Sequence, residues 1–198
     1  EHWHTDLAYV KINGVFYFLI MMLDGYSRYV LDWELLPDML SSSVQEFILR
    51  VRERYPDCRP KLIHDNGSCF VSREFKRLVS NLGIQQVFTR RNHPQTNGKI
   101  ERLNGTIRQE ALRKHYPDSY SAACQVIKNF VYKYNNLRLH AGIKYLRPAD
   151  MFFGKDKLIL NNRKIRIHNA RINRIRQNKL LQNKPQNVSY FQNKIVRI

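Results

Sequence analysis

The sequence predicts an α/β fold: a mixed sheet, antiparallel at its start and parallel later, with helices on both faces. Three observations carry this. Asn13-Gly14 and Asp24-Gly25 divide the first 36 residues into three strand-like runs, and from residue 41 onward helix-period stretches alternate with short apolar runs. An apolar fraction of 43% over 198 residues is enough to fill a real core. A three-stranded meander followed by strand–helix crossovers then requires a mixed sheet covered on both sides.

The elements follow in order. Trp3 to Val10 reads as a first strand. Alternation puts Trp3, Thr5, Leu7 and Tyr9 on one face and His4, Asp6 and Ala8 on the other. Val15 to Leu23 is wholly apolar, as expected of a central strand buried on both faces, and Arg28 to Leu36 is the third strand. Ser41–Ser43 can cap a helix whose apolar stripe is Val44, Phe47, Ile48 and Val51. Lys61 to His64 is a short strand ending at Asp65-Asn66-Gly67. Ser72 opens a helix carrying Phe75, Leu78, Val79 and Leu82, and Ile84 to Phe88 is a further strand. The polar stretch Thr89 to Thr96, broken by Pro94, leads into a helix from about Asn97 to Arg113 and a second from Tyr120 to Asn136.

Charge divides the chain. There are 34 Lys plus Arg against 16 Asp plus Glu, a net +18, which points to a polyanionic partner. Residues 157–198 hold eleven of the basic residues, eight Asn and no acid, so a boundary falls at Gly154-Lys155-Asp156. The expected domains are 1–154 and a basic appendage, 155–198. Its apolar residues, among them Leu158, Ile165 and Ile175, fit short strands as well as disorder. No run approaches the ~20 apolar residues of a membrane span, and Cys58, Cys69 and Cys124 form no C-x-x-C pair. A soluble protein of a reducing compartment is expected, and an opening at Glu1 suggests an excised fragment.

Asp6, Asp65 and Glu101 stand out among the acids, because each lies at the edge of an element where a carboxylate needs a partner. Gathered at one sheet edge, they would hold hard divalent cations, Mg²⁺ or Mn²⁺, which prefer carboxylate oxygen and keep several waters. Two such ions about 3.5–4 Å apart can activate a hydroxyl and stabilise the leaving oxygen of a phosphodiester. At 100° per residue Asn97, Asn104, Gly105 and Arg108 lie within about 60° of Glu101, opposite a core stripe of Ile100, Leu103, Ile107 and Ala111, and Lys99 projects away. The plainer alternative is that Asp65 is a turn residue before Asn-Gly and Glu101 a first-turn helix acid.

Several blocks resemble the catalytic core of the retroviral integrase superfamily, and particularly bacterial insertion-sequence (DDE) transposases. They are Trp-His-Thr-Asp at 3–6, Leu-Asp-Gly-Tyr-Ser-Arg at 23–28, Ile-His-Asp-Asn-Gly at 63–67 and His-Pro-Gln-Thr-Asn-Gly-Lys-Ile-Glu-Arg at 93–102. Thirty-five residues separate Asp65 from Glu101, the family's Asp-35-Glu spacing. The likeness continues through Tyr134-Asn135-Asn136, Arg138, His140 and Leu146-Arg147-Pro148-Ala149. It implies an RNase H-like fold, an Asp6–Asp65–Glu101 triad holding two Mg²⁺ or Mn²⁺ ions, and attack of a 3′-hydroxyl on target DNA. It makes Arg90 to Asn97 the flexible active-site loop, with Pro94, Gln95 and Asn97 positioning DNA ends. Relatives commonly carry a zinc module or helix-turn-helix ahead of the core. This sequence has neither, so end recognition is expected upstream of Glu1.

Arg90, Arg91, Arg102 and Arg108 are expected to contact phosphates, while His93 shapes the loop. His4 and His64 are placed beside the acids, supporting them or carrying no chemical role. The reading is thus a metal-dependent DNA transposase or integrase core, working on mobile-element ends and target DNA as at least a dimer in a bacterial cytoplasm. The rivals are a non-catalytic architectural DNA-binding protein and an RNase H-like nuclease.

Overall fold

The computed structural model describes residues 2–89 and 97–182. Arg90, Arg91, His93, Pro94 and Gln95 lie outside the described residues. The chain forms two compact units, residues 1–155 and 156–198.

The first unit is built on a five-stranded sheet in the order β3-β2-β1-β4-β5. β1 (His2–Ile12), β2 (Val15–Asp24) and β3 (Val30–Leu36) form the antiparallel meander. β4 (Lys61–His64) and β5 (Gln85–Phe88) add to the other edge in parallel. The third strand starts at Val30, two residues later than the alternation predicts. Asp24 holds a tight turn open to that point: its backbone carbonyl accepts from Arg28 N–H, and its carboxylate accepts from the Ser27 backbone N–H and hydroxyl.

The alternation of the strands splits the core into two layers. Ala8, Val10, Leu19, Met21 and Leu23 face one side, with Ile100, Leu103, Ile107, Ala111 and the buried residues of α6 (Tyr120–Asn136). Trp3, Ile20, Met22 and Leu62 face the other. There they meet α1 (Ser41–Arg54), α2 (Ser68–Val71) and α3 (Arg73–Asn81). The stripe Val44, Phe47, Ile48 and Val51 is buried as its spacing predicts. Ser72 caps α3 by accepting from Phe75 N–H at 3.1 Å.

The helix after residue 97 is not uniform. α4 (Gly98–Ile107) runs into a π-helical turn over Arg108–Leu112 and then a single turn, α5 (Arg113–His115), which ends on Tyr116 in a left-handed conformation. The extra residue of the π turn lets Ala111 remain in the core while Arg108 and Gln109 point to solvent. α6 is tied to β3 by Asn135, whose Oδ1 accepts from Val30 N–H and whose Nδ2 donates to Val30 C=O, both at 2.9 Å. A short α7 (Pro148–Phe152) closes the unit, with Arg147 bidentate to the Asp150 carboxylate.

The second unit corrects an expectation. Short strands do not occur among its described residues; Asp156–Gln182 forms one helix, α8. The stretch contains no Gly or Pro, its Leu, Lys, Arg, Gln and Ala favour helix, and its isoleucines do not sustain an alternation of period two. Its apolar residues are spread around the axis rather than gathered in a stripe. No described helix is long and apolar enough to cross a membrane.

Candidate active site

Strand register brings the first two acids together. β1 and β4 pair in parallel with His4 opposite Ile63, so continuing the register by two residues sets Asp65 beside Asp6. Neighbouring strands lie about 4.8 Å apart. Both side chains fall on the sheet face covered by α4. Asp6 is partly buried among apolar neighbours, and burial first, then the negative charge of Asp65, push its carboxyl up to about 6. Glu101 adds to this more weakly. Opposing them, Leu7 N–H donates to Oδ1 at 3.0 Å and Asn104 Nδ2 donates to Oδ2 at 3.0 Å.

Asp65 lies just past the end of β4, where its Oδ1 accepts from Gly67 N–H at 2.9 Å. This is the Asx-turn geometry of the plainer reading, and it leaves Oδ2 outside that bond. Glu101 is exposed in the first turn of α4, at the crest of the helix, with Arg102 and Arg108 also exposed. The site therefore holds three carboxylates from β1, the end of β4 and α4, two adjacent and one on a solvent-facing side chain. Among the described residues no group of three His, Cys, Asp or Glu side chains converges closely enough to hold a metal ion as a set. The donor chemistry nevertheless fits Mg²⁺ or Mn²⁺, which bind through one or two carboxylates and leave the remaining positions to water and phosphate oxygen.

The two histidines sit on opposite faces. His64 is fully buried between Phe70, Phe75 and Phe88. Its Nδ1 lies 2.6 Å from the Asp65 carbonyl oxygen and its Nε2 3.0 Å from Gln86 Nε2. With the proton on Nδ1, the ring donates to the backbone of Asp65 and accepts from Gln86, which fixes where β4 ends. Burial holds His64 below the usual imidazole range. His4 is also buried, neither ring nitrogen has a hydrogen-bond partner among the described residues, and burial followed by the charges of Lys99 and Arg28 lowers its pKa to about 4. The ring packs on Gly25, where an added Cβ would stand 2.7 Å from Nε2.

Of the residues expected to meet DNA, Arg102 and Arg108 are exposed, on α4 and at its end. Asn97 precedes the helix and is buried, its carbonyl accepting from Ile100 and Glu101 N–H and its Oδ1 without a partner among the described residues. Sequence reasoning placed Asn104 near Glu101 but missed its role. It is buried and spans 98 residues of chain to reach Asp6. Lys99 projects away from Glu101 as the helix period predicts, and its Nζ donates to Gly25 C=O at 2.9 Å. Only the long-range pairing of the elements identifies either contact.

Comparison with known proteins places this geometry among others. Residues 1–94 and 82–148 match two models each described as "Integrase core domain". The transposase for insertion sequence element IS904 of Lactococcus lactis subsp. lactis (strain IL1403) is 23% identical over 150 residues. That match covers 75% of this chain and 59% of the transposase. The putative transposase InsK for IS150 of Escherichia coli (strain K12) is 23% identical over 154 residues, 76% of this chain and 53% of that protein. The chain thus spans little more than half of these two relatives. In fold it is similar to the HTLV-2 integrase catalytic core domain solved in complex with magnesium, with a TM-score of 0.62 at 20% identity. That match covers 76% of this chain and 95% of the other. A chain of the simian T-cell lymphotropic virus intasome gives 0.63 at 22% identity, over 76% and 53%. These likenesses fix an RNase H-like fold.

Proposed function

Because the chain belongs to the integrase core domain family, we propose that it is the catalytic core of a DNA transposase that cleaves DNA strands and joins them by attack of a 3′-hydroxyl. The observation that carries the reading is the placement of Asp6 and Asp65 side by side, with the charge of Glu101 also felt at Asp6. Two adjacent carboxylates in a partly buried setting repel each other, and a divalent cation relieves that repulsion.

Asp6, Asp65 and Glu101 would hold two Mg²⁺ or Mn²⁺ ions together with water and phosphate oxygens. When bound, the metal activates the attacking hydroxyl or water and stabilises the leaving oxygen. The chain's own residues prepare the site. Asn104 and the Leu7 N–H orient the Asp6 carboxylate, Gly67 N–H orients that of Asp65, and Glu101 would have to turn inward from its exposed position to join them. Arg102 and Arg108 flank Glu101 and neutralise phosphates of the reacting strand, and the basic second unit adds backbone contacts without base preference. Arg90, Arg91, His93, Gln95 and Asn97 position the DNA ends, and His4 and His64 support the strands that carry the acids. The partners are mobile-element ends and target DNA, bound by a dimer or larger assembly in a bacterial cell.

The test incubates the protein with Mn²⁺ or Mg²⁺ and labelled DNA carrying candidate element ends. Wild type is compared with Glu101→Gln. Joined strands that disappear in the variant are expected. Nicks without joining make the chain a nuclease, and binding with neither product makes it an architectural protein.

A further inference from the structure

On the flank of α4 away from Asn104 lies a recess of about 370 Å³ lined by Arg28, Lys99, Arg102, Tyr134 and His140, with Gly98, Leu103 and Gly142 between them. Among the described residues no acidic side chain lines it. We propose that this recess, on α4 but separate from the three acids, is a phosphate pocket that takes a backbone phosphate of bound DNA. It rests on the reading of the chain as a DNA-processing core.

Three segments distant in sequence are needed to build it. The first is the turn after β2, where Arg28 takes a left-handed backbone conformation with φ of 66°. A side chain at positive φ costs on the order of 1 kcal/mol, so the turn has to be held by its surroundings. Asp24 does this, through its carbonyl to Arg28 N–H and its carboxylate to Ser27. The turn commits Asp24 to Ser27 and leaves Arg28 without an ion pair among the described residues; Nε of Arg28 is buried with no hydrogen-bond partner. The second segment is α4, from which Lys99 and Arg102 project. Lys99 uses one of its three N–H bonds on Gly25 C=O, which pins the ammonium against the same turn and leaves two donors. The third is the stretch after α6. There Gly142 N–H donates to His140 Nδ1 at 3.2 Å, which places the ring proton on Nε2 as a neutral donor.

The recess thus gathers two guanidinium groups, an ammonium, an imidazole N–H and the Tyr134 hydroxyl, against which the Asp24 carboxylate, already hydrogen-bonded to Ser27, sets one opposing charge. Their mutual effect is visible in the basic groups themselves. Burial lowers the pKa of Arg28 and Arg102 adds to this, against Tyr134 and Asp24; burial, then Arg28, Arg138 and Arg102, lower that of His140. Three cations held together with a single opposing carboxylate cost stability, and an oxyanion bound among them removes that cost. A tetrahedral phosphate suits donors arriving from three elements better than a planar carboxylate, which one guanidinium fork satisfies.

Position selects the DNA backbone over a free anion. On the wheel of α4, Asn104, which donates to Asp6, lies about 60° to one side of Glu101, and Gly98, Arg102 and Lys99 lie about 60° to 160° to the other. A strand crossing the crest at Glu101 passes from the acids on one flank to this recess on the other, over a helix about 10 Å wide. Gly98 and Gly105 keep the crest low, since an added Cβ at either would meet no atom within 4 Å.

The experiment measures binding of the chain to a fluorescent duplex by anisotropy, in EDTA, across a series of salt concentrations. Arg28→Gln and Lys99→Gln are compared with wild type and with Lys128→Gln, which removes a charge from the exposed face of α6. Circular dichroism checks folding, and Lys99→Gln stands in if the strained Arg28 turn does not tolerate change. Each pocket variant is expected to weaken binding by about tenfold at 0.1 M salt and to reduce the slope of log K against log salt by about one, beyond any effect of Lys128→Gln. Pocket variants equal to Lys128→Gln overturn the proposal. So does a result in which inorganic phosphate raises the Tm of wild type but not of Arg28→Gln while DNA affinity is unchanged, since the pocket then serves a free anion. A wild type that binds no DNA sinks the proposed function and with it the pocket's DNA assignment. Loss of strand joining alone leaves this measurement untouched, because it contains no metal and scores no product.

Discussion

Replacing Asp6 with asparagine separates what the carboxylate does for chemistry from what it does to the fold. In the native chain its pKa stands at about 6 rather than the ordinary 3.8, because of burial and the Asp65 charge. That displacement corresponds to about 3 kcal/mol of preference for the neutral form. The group therefore binds a proton more tightly folded than unfolded. Below about pH 4 both states carry the proton and there is no penalty; as pH rises through 4 to 6 stability falls, and above about 6 the full cost of the buried charge is present. Asp6→Asn removes the charge but leaves one oxygen for the two donors, Leu7 N–H and Asn104 Nδ2, so one bond is lost at a cost of about 1 kcal/mol. The expected balance in EDTA is a variant about 2 kcal/mol more stable than wild type at pH 8, or a Tm about 4–8 °C higher, and about 1 kcal/mol less stable at pH 4. Urea unfolding at the two pH values measures both. Adding Mg²⁺ is expected to stabilise wild type and leave the variant unchanged. A variant less stable than wild type at pH 8 without metal refutes the reasoning, because Asp6 would then be a structural hydrogen-bond acceptor and not a strained ligand.

Two further substitutions test the supporting contacts. Asn104→Ala deletes the side-chain donor to Asp6, so the Asp6 pKa is expected to rise above about 6 and Mn²⁺ affinity to fall about 10–100-fold, as followed by calorimetric titration; unchanged affinity removes Asn104 from the site. Asn135→Ala leaves Val30 N–H and C=O unpaired in the interior, and a loss of about 2–4 kcal/mol in urea unfolding is expected; a loss below about 1 kcal/mol means that water replaces the amide.

What was legible in the sequence was whatever a local period encodes. The stripes Val44–Phe47–Ile48–Val51 and Ile100–Leu103–Ile107–Ala111 are buried because helical spacing alone puts them on one side, and the alternation of β1 sends Trp3 and Ala8 to opposite layers for the same reason. Turn chemistry fixed the Asn13-Gly14 hairpin and the Ser72 cap. Motif spacing singled out Asp6, Asp65 and Glu101, since the acids carry the pattern in their own order along the chain. The appendage shows where local reading fails. Its isoleucines are compatible with strands, and only the absence of Gly, Pro and a sustained alternation within Asp156–Gln182 favours the helix found there. The tertiary structure decided who stands beside whom. Strand register set Asp65 against Asp6, the packing of α4 brought Asn104 to the same carboxylate, and three segments converge to place Arg28, Lys99 and His140 around one recess. Those pairings depend on contacts between residues tens to about a hundred positions apart, and no periodicity along the chain records them.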